Sequence, residues 1–221
     1  MKQSQWHKGA GAKAMLNIGV LISGRGSNLQ AIVDAIEKEE LAARISVVVS
    51  NKADAYGLER ARVHGIETVF IPSKGKERTD FEREVAEVLE ARGVELVCLA
   101  GFMRLLSPYF IRRFKNRIMN IHPALLPAFP GEDAQRQAFE YGSKVTGCTV
   151  HFVDEGVDTG PVIIQMPVGV DEEDTVESLS ARILEHEHLA YPAAIQLFAE
   201  KRLRIEGRRV HVLPREERVN R

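Results

Sequence analysis

Asn17-Ile18-Gly19-Val20-Leu21-Ile22-Ser23 leads directly into Gly24-Arg25-Gly26-Ser27-Asn28 and then into Leu29-Gln30-Ala31-Ile32-Val33-Asp34-Ala35-Ile36. The first run is apolar, rich in β-branched residues and too short for a buried helix, so it reads as a fully buried strand. The last run has helical periodicity, and Ser27 or Asn28 suits its N-cap. Strand, glycine loop and helix open a parallel sheet, and the alternation continues. Ile45–Asn51 reads as a second buried strand, followed by a helix near Ala55–Val63 that Gly65 ends. Glu67–Pro72 reads as a third strand, Lys76–Arg92 as an amphipathic helix ended by Gly93, Glu95–Gly101 as a fourth strand and Ile118–His122 as a fifth.

The pattern then changes. Val145–Val153 and Pro161–Val168 are strand-like and only the seven residues Asp154–Gly160 separate them, which suits an antiparallel hairpin. Thr175–Phe198 reads as a long helix that Pro192 should kink, and residues 202–213 as a short hairpin. The fold class expected is α/β: a doubly wound (Rossmann-like), mostly parallel sheet with an antiparallel hairpin towards the C-terminal half. Residues 17–213 read as one domain, residues 1–16 as a polar, poorly ordered leader and residues 214–221 as a charged tail.

Composition narrows the function. A net charge of −1 leaves no electrostatic footprint for nucleic acid. No apolar run approaches the roughly 18 residues of a membrane helix, and residues 1–16 lack the apolar core of a signal peptide. Cys98 and Cys148 both lie in apolar strand-like runs and read as reduced core cysteines of a cytoplasmic protein. No Cys/His spacing resembles a zinc site, and His186 and His188 are not i,i+4 partners, so no metal is expected.

In doubly wound sheets, ligands bind beyond the carboxyl ends of the strands, near the point where strand order reverses. Three segments gather there. The glycine loop Gly24–Leu29 precedes a helix N-terminus, where free N–H groups and the dipole favour an anion. Ser27 and Asn28 can add side-chain donors. Leu29 stands where a dinucleotide fingerprint wants a third glycine, and Ser50-Asn51-Lys52 stands where it wants a ribose-binding acid. A single phosphate fits better than NAD, although a tight turn with no ligand fits the loop as well.

Asn120 and His122 close the fifth strand and project side by side, because strand side chains repeat every two residues. Pro123 stops the ladder just beyond them. An amide donor beside an imidazole suits a carbonyl-centred reaction, one group holding an oxyanion and the other handling a proton. Alone, the pair reads more readily as a strand end with one structural histidine. Asp158, in the hairpin loop between Gly156 and Gly160, would raise the pKa of His122 if the two met, or simply makes its own turn. His151 reads as structural, and Glu187 as part of a solvated helix face.

Val20–Ile32 with its Ser-Gly-x-Gly-Ser-Asn loop, Ser50–Ala61, Leu99–Pro108, Asn120–Gly131 and Thr149–Gln165 with its Asp158-Thr159-Gly160-Pro161 turn resemble the phosphoribosylglycinamide formyltransferase family of folate-dependent formyltransferases. The likeness runs from about Leu16 to Leu203. Asn-x-His-Pro-x-Leu-Leu-Pro is shared by wider formyl-folate enzymes; the phosphate loop and Ser50-Asn51-Lys52-Ala53-Asp54 narrow it.

The resemblance implies a catalytic trio of Asn120, His122 and Asp158, and a substrate phosphate site at Gly26, Ser27 and Asn28. It implies that Glu187 holds the glycinamide or ribose portion of the substrate. It places the folate pteridine against Met103, Arg104, Leu105 and Leu106, with Asn120, and under the loop Val153, Asp154 through Asp158; Arg78 would meet the folate's glutamate end. The implied co-substrates are glycinamide ribonucleotide and 10-formyltetrahydrofolate, with no metal, in a monomer or homodimer. Asp133 stands where the family often carries His. The alternatives are another formyl-folate transferase or hydrolase, which would bring a C-terminal barrel or an N-terminal regulatory domain, and a nucleotide-binding oxidoreductase.

Overall fold

The computed structural model describes residues 15–215. The leader expected at residues 1–16 and the tail expected at residues 214–221 therefore lie mostly outside the described residues. Leu16 does not belong to a leader: it opens the first strand, β1 (Leu16–Ile22). The chain continues as α1 (Ser27–Glu37), β2 (Ala43–Ser50), α2 (Tyr56–Val63), β3 (Thr68–Phe70), α3 (Arg78–Glu90), β4 (Leu96–Leu99), α4 (Pro108–Arg113) and β5 (Ile118–His122). The second part is α5 (Ala134–Glu140), β6 (Val145–Phe152), β7 (Val162–Gly169), α6 (Val176–Ala199), β8 (Leu203–Glu206) and β9 (Arg209–Val212).

The nine strands of the described residues form one sheet in the order β3-β2-β1-β4-β5-β6-β7-β9-β8. The pairs from β3 to β5 are parallel, as βαβ units require. β5–β6 and β6–β7 are antiparallel, so the predicted hairpin is present, and β8–β9 closes the edge as a second hairpin. From β1 the chain winds outward through β2 and β3, then returns to lay β4 against the opposite side of β1. The order therefore reverses between β1 and β4, and their carboxyl ends meet there: the Ser23 N–H donates to the Gly101 carbonyl at 3.0 Å.

Alternation along the strands builds a core on each face. Ile18, Val20 and Ile22 of β1 face a cluster with Leu29 and Ile32 of α1 and Ile183, Tyr191 and Ile195 of α6. Leu21 faces the other side with Val47, Val49, Phe81, Leu89 and Phe110, under α3 and α4. Burial of a large apolar side chain stabilises by about 1.5–3 kcal/mol, so these two layers hold the sheet that carries the rim.

Several expectations shift in detail. Ser27 and Asn28 are not caps: Gly26, at φ +71°, occupies the N-cap of α1 and no side chain bonds the first turn. The helix α6 runs through Pro192 uninterrupted. The helix expected at Lys76–Arg92 is shorter at both ends, and β3 is trimmed to three residues. The short helices α4 and α5 carry too few periodic positions to be seen in the sequence. In α4, Ser107 caps the first turn by accepting from Phe110 N, and Pro108 opens the helix.

Candidate active site

β5 brings Asn120 and His122 to the rim as the strand spacing requires. β6 lies antiparallel to it, with His151 directly opposite Asn120 and Thr149 opposite His122. The β6–β7 loop returns Asp158 over the same point. The structure thus brings Asn120, His122 and Asp158 together and places His151, which its strand position alone marks as structural, beside them. Asp158 Oδ2 lies 3.3 Å from His122 Nδ1, and Asp158 Oδ1 lies 3.6 Å from His151 Nε2. His151 was missed because only the cross-strand register pairs it with Asn120, and register is invisible until two strands are aligned.

The hydrogen bonds settle the roles of the rings. His151 Nδ1 lies 2.8 Å from the Phe152 carbonyl, so this nitrogen carries the proton. Its Nε2 is then bare, and the Asn120 amide donates to it at 3.2 Å. That contact turns the Nδ2 group of Asn120 inward and leaves its second N–H available to another acceptor. His122 Nε2 must donate to the Phe129 carbonyl, 2.8 Å away. With Asp158 at Nδ1, only the doubly protonated His122 ring satisfies both neighbours. Burial nevertheless pushes the His122 pKa down, against the pull of Asp158 and the Phe129 carbonyl. Burial would raise the Asp158 carboxyl, but the Gly131 N–H that donates to it and the neighbouring His122 ring pull the other way, and the carboxyl is held below the usual carboxylate range.

The loop after β1 is held from below by α2. Gly26 packs against Gly57 so closely that a Cβ on Gly26 would stand 2.7 Å from Gly57 Cα. Gly57 N–H donates to the Gly24 carbonyl at 3.0 Å, and Arg60 Nε donates to the Arg25 carbonyl at 3.0 Å. Ser27 lies in the first turn of α1 and makes no side-chain hydrogen bond among the described residues. The Asn28 side chain does: its amide donates to Glu187 Oε2 at 2.7 Å, and its buried Oδ1 has no partner. One N–H of the Asn28 amide is thus held by Glu187 and the other is left over, beside the backbone N–H groups of the first turn and the Ser27 hydroxyl. Glu187 is only 6% exposed rather than on a solvated face, and burial raises its pKa.

Residues 16–195 match the sequence profile of the formyl transferase family. The chain is 46% identical over 191 residues to the phosphoribosylglycinamide formyltransferase of Escherichia coli, covering 86% of this chain and 90% of that one. The chain belongs to the formyl transferase family. It is also similar to a glycinamide ribonucleotide transformylase from Symbiobacterium toebii of known structure, with 58% identity, a TM-score of 0.89, and coverage of 90% of this chain and 95% of that one. It is 50% identical over 185 residues to the chicken protein named trifunctional purine biosynthetic protein adenosine-3, of which it spans only 18%.

Formyl transferases use a formyl-folate co-substrate, and the remaining segments lie where one could sit. Phe102–Leu106 follows β4 at the switch point. Met103 and Leu105 are 64% and 57% exposed, an apolar pair presented to solvent at the rim. Arg104 lies over the Phe81 ring, its guanidinium 5.1 Å from the centroid, and Leu106 is half-buried. Val153 and Asp154 begin the β6–β7 loop, where Asp154 accepts from Gly156 N and Thr159 Oγ1. Arg78 is exposed at the first turn of α3. Asp133 is exposed, at φ +53° before α5, and touches none of the trio among the contacts described. Cys98 and Cys148 are buried and unpaired, burial pushing the Cys148 thiol up to about 12, so neither is a nucleophile. No group of His, Cys, Asp and Glu suited to a metal occurs among the described residues.

Proposed function

We infer that the protein transfers a formyl group from 10-formyltetrahydrofolate to the primary amine of glycinamide ribonucleotide, giving formylglycinamide ribonucleotide and tetrahydrofolate. The observation that carries this reading is the 3.3 Å approach of Asp158 to His122 beside Asn120, on one rim with a glycine loop whose helix N-terminus has no side-chain cap. Likeness to the Escherichia coli enzyme along nearly its whole length supports the choice of substrates.

The phosphate binds the loop of Gly26, Ser27 and Asn28 through N–H groups at the start of α1. Glu187 and its Asn28 partner offer a buried acceptor to the ribose or glycinamide portion. The pteridine lies between Met103–Leu106 and the Val153–Asp158 loop, and Arg78 meets the glutamate. The unprotonated amine attacks the formyl carbon, and the C–N bond that forms leaves a tetrahedral carbon with an oxyanion. The second N–H of Asn120 donates to that oxygen, and the protonated His122 ring donates a second hydrogen bond to it; one such donor is worth about 2.7–4 kcal/mol of barrier. His122 carries a proton from the attacking nitrogen towards the folate nitrogen as the old C–N bond breaks, and Asp158 stabilises the ring while it is charged. No covalent enzyme intermediate is needed.

The test is an assay with glycinamide ribonucleotide and 10-formyltetrahydrofolate, following folate release near neutral pH. Turnover that requires the ribonucleotide supports the reading. Release of formate without it would replace the transferase by a hydrolase.

A further inference from the structure

We propose that Glu82 is a positioning residue that sets the folate-facing strap Phe102–Leu106, a role that rests on the assignment of that strap to the folate. Glu82 lies on α3 and is 1% exposed. Its Oε1 accepts from the Ser107 backbone N–H at 2.7 Å, and its Oε2 accepts from the Ser107 hydroxyl. Both bonds go to one residue, the N-cap of α4 and the downstream anchor of the strap. No cation pairs with Glu82 among the described ion pairs.

A buried carboxylate without a cation is costly, and an apolar side chain of the same size would fill the space at less expense. What a carboxylate adds is two acceptors held in one plane. They fix both the N–H and the hydroxyl direction of Ser107, which a glutamine cannot do without turning its own N–H towards one of them. The upstream end of the strap is fixed separately. Met103 N–H donates to Ser23 Oγ at 2.9 Å, and Ser23 donates to Asn51 Oδ1 at 2.7 Å. Between the anchors, Phe102 stacks on Phe81 at 6.4 Å and Arg104 lies over the same ring. The backbone is thus held at both ends and from beneath, and Met103 and Leu105 are left outward as the two exposed apolar side chains. Phe81 and Glu82 lie one helical turn from Arg78, so α3 carries both the strap's anchor and the residue assigned to the glutamate end.

The experiment is steady-state kinetics of Glu82→Gln with each substrate varied in turn, together with binding of a folate analogue. The expected result is a rise of about tenfold in the KM for formyl-folate, the size of one or two lost hydrogen bonds. The KM for the ribonucleotide and kcat should change less than twofold. Ser107→Ala should give the same split, Ser107→Thr should restore the folate KM, and the double variant should be no worse than the poorer single one. Should Glu82→Gln lose the fold, the two Ser107 variants carry the test. Equal rises in both KM values, or a lowered Tm with an unchanged KM ratio, would make Glu82 a plain stability residue and overturn the proposal. Wild-type protein that binds no folate analogue defeats the folate reading itself; wild type and Glu82→Gln binding it equally well defeats the proposal alone.

Discussion

Asp158→Asn removes one charge and little else. Asp158 Oδ2 accepts from Gly131 N at 2.8 Å and faces His122 Nδ1 at 3.3 Å, and an asparagine carbonyl in that place can keep both contacts. What disappears is the attraction between a carboxylate and an imidazolium. Unit charges 3.3 Å apart attract by about 5 kcal/mol at an effective dielectric of about 20. Desolvation offsets part of that, since His122 is 4% and Asp158 14% exposed at the side chain. A surviving difference of about 3 kcal/mol in the charged state corresponds to about a hundredfold in rate.

The assay is kcat at saturation in both substrates, with the KM of the ribonucleotide as control. The variant should lose at least about a hundredfold in kcat and hold that KM within about twofold. The pH profile adds a sign. Asp158 raises the His122 pKa against burial, so its removal moves the limb that reports His122 to lower pH. A variant with kcat within tenfold of wild type, or an unmoved limb, would refute the supporting role of Asp158.

Three further outcomes are expected. His151→Phe removes the acceptor that orients the Asn120 amide and should lower kcat roughly 5- to 10-fold, the scale of one neutral hydrogen bond, with both KM values held; an unchanged kcat would return His151 to a structural role. Arg60→Ala frees the Arg25 carbonyl and loosens the anion loop, so the KM for the ribonucleotide should rise about fivefold while that for the folate stays constant; a folate effect of equal size would sink the assignment. Glu187→Gln keeps an acceptor for Asn28 and removes a buried charge. The folded-state pKa of Glu187 is raised, so its ionisation destabilises the fold increasingly as pH climbs from the ordinary carboxylate range through the folded value. The variant should therefore melt above wild type at pH 8, with the gap closing towards pH 4.5, while its KM for the ribonucleotide worsens; a gap independent of pH would refute this account.

The parallel half of the fold was legible because each buried strand and its helix announce themselves by local periodicity. Asn120, His122 and the glycine loop were legible for the same reason: strand alternation and a helix start place them. What local pattern cannot carry is a relation between distant residues. The Asp158–His122 distance, the Asn120–His151 register and the Asn28–Glu187 bond, which spans 159 positions, exist only after the sheet is assembled. Asn28 shows the cost. An asparagine at a helix start reads as a cap or a phosphate donor, yet Gly26 takes the cap, and α6 supplies a carboxylate that holds one N–H of the amide. Glu82 is similar: on an amphipathic helix a glutamate reads as solvent-facing, yet it is buried, with both oxygens on Ser107 at the start of α4.

His122 presents a tension that bears on catalysis. Each neutral form of the ring leaves a lone pair facing an oxygen, either of Asp158 or of Phe129, while burial resists the charged form. Neither protonation state is comfortable, so a modest change at Nε2 shifts the balance. In this conformation Nε2 is engaged by the Phe129 carbonyl, and donation to an oxyanion requires that this bond be exchanged. The exchange favours the transition state over the ground state. A negative oxygen is a stronger acceptor than a neutral carbonyl, and bonds to charged groups are about twice as strong. Phe129 itself stands at φ +53°, and Asp133 and Asp158, in the surrounding loops, are also in the left-handed region. Non-glycine residues there cost of order 1–3 kcal/mol each and persist where the surroundings hold them. The turn that occupies His122 is thus among the strained parts of the molecule.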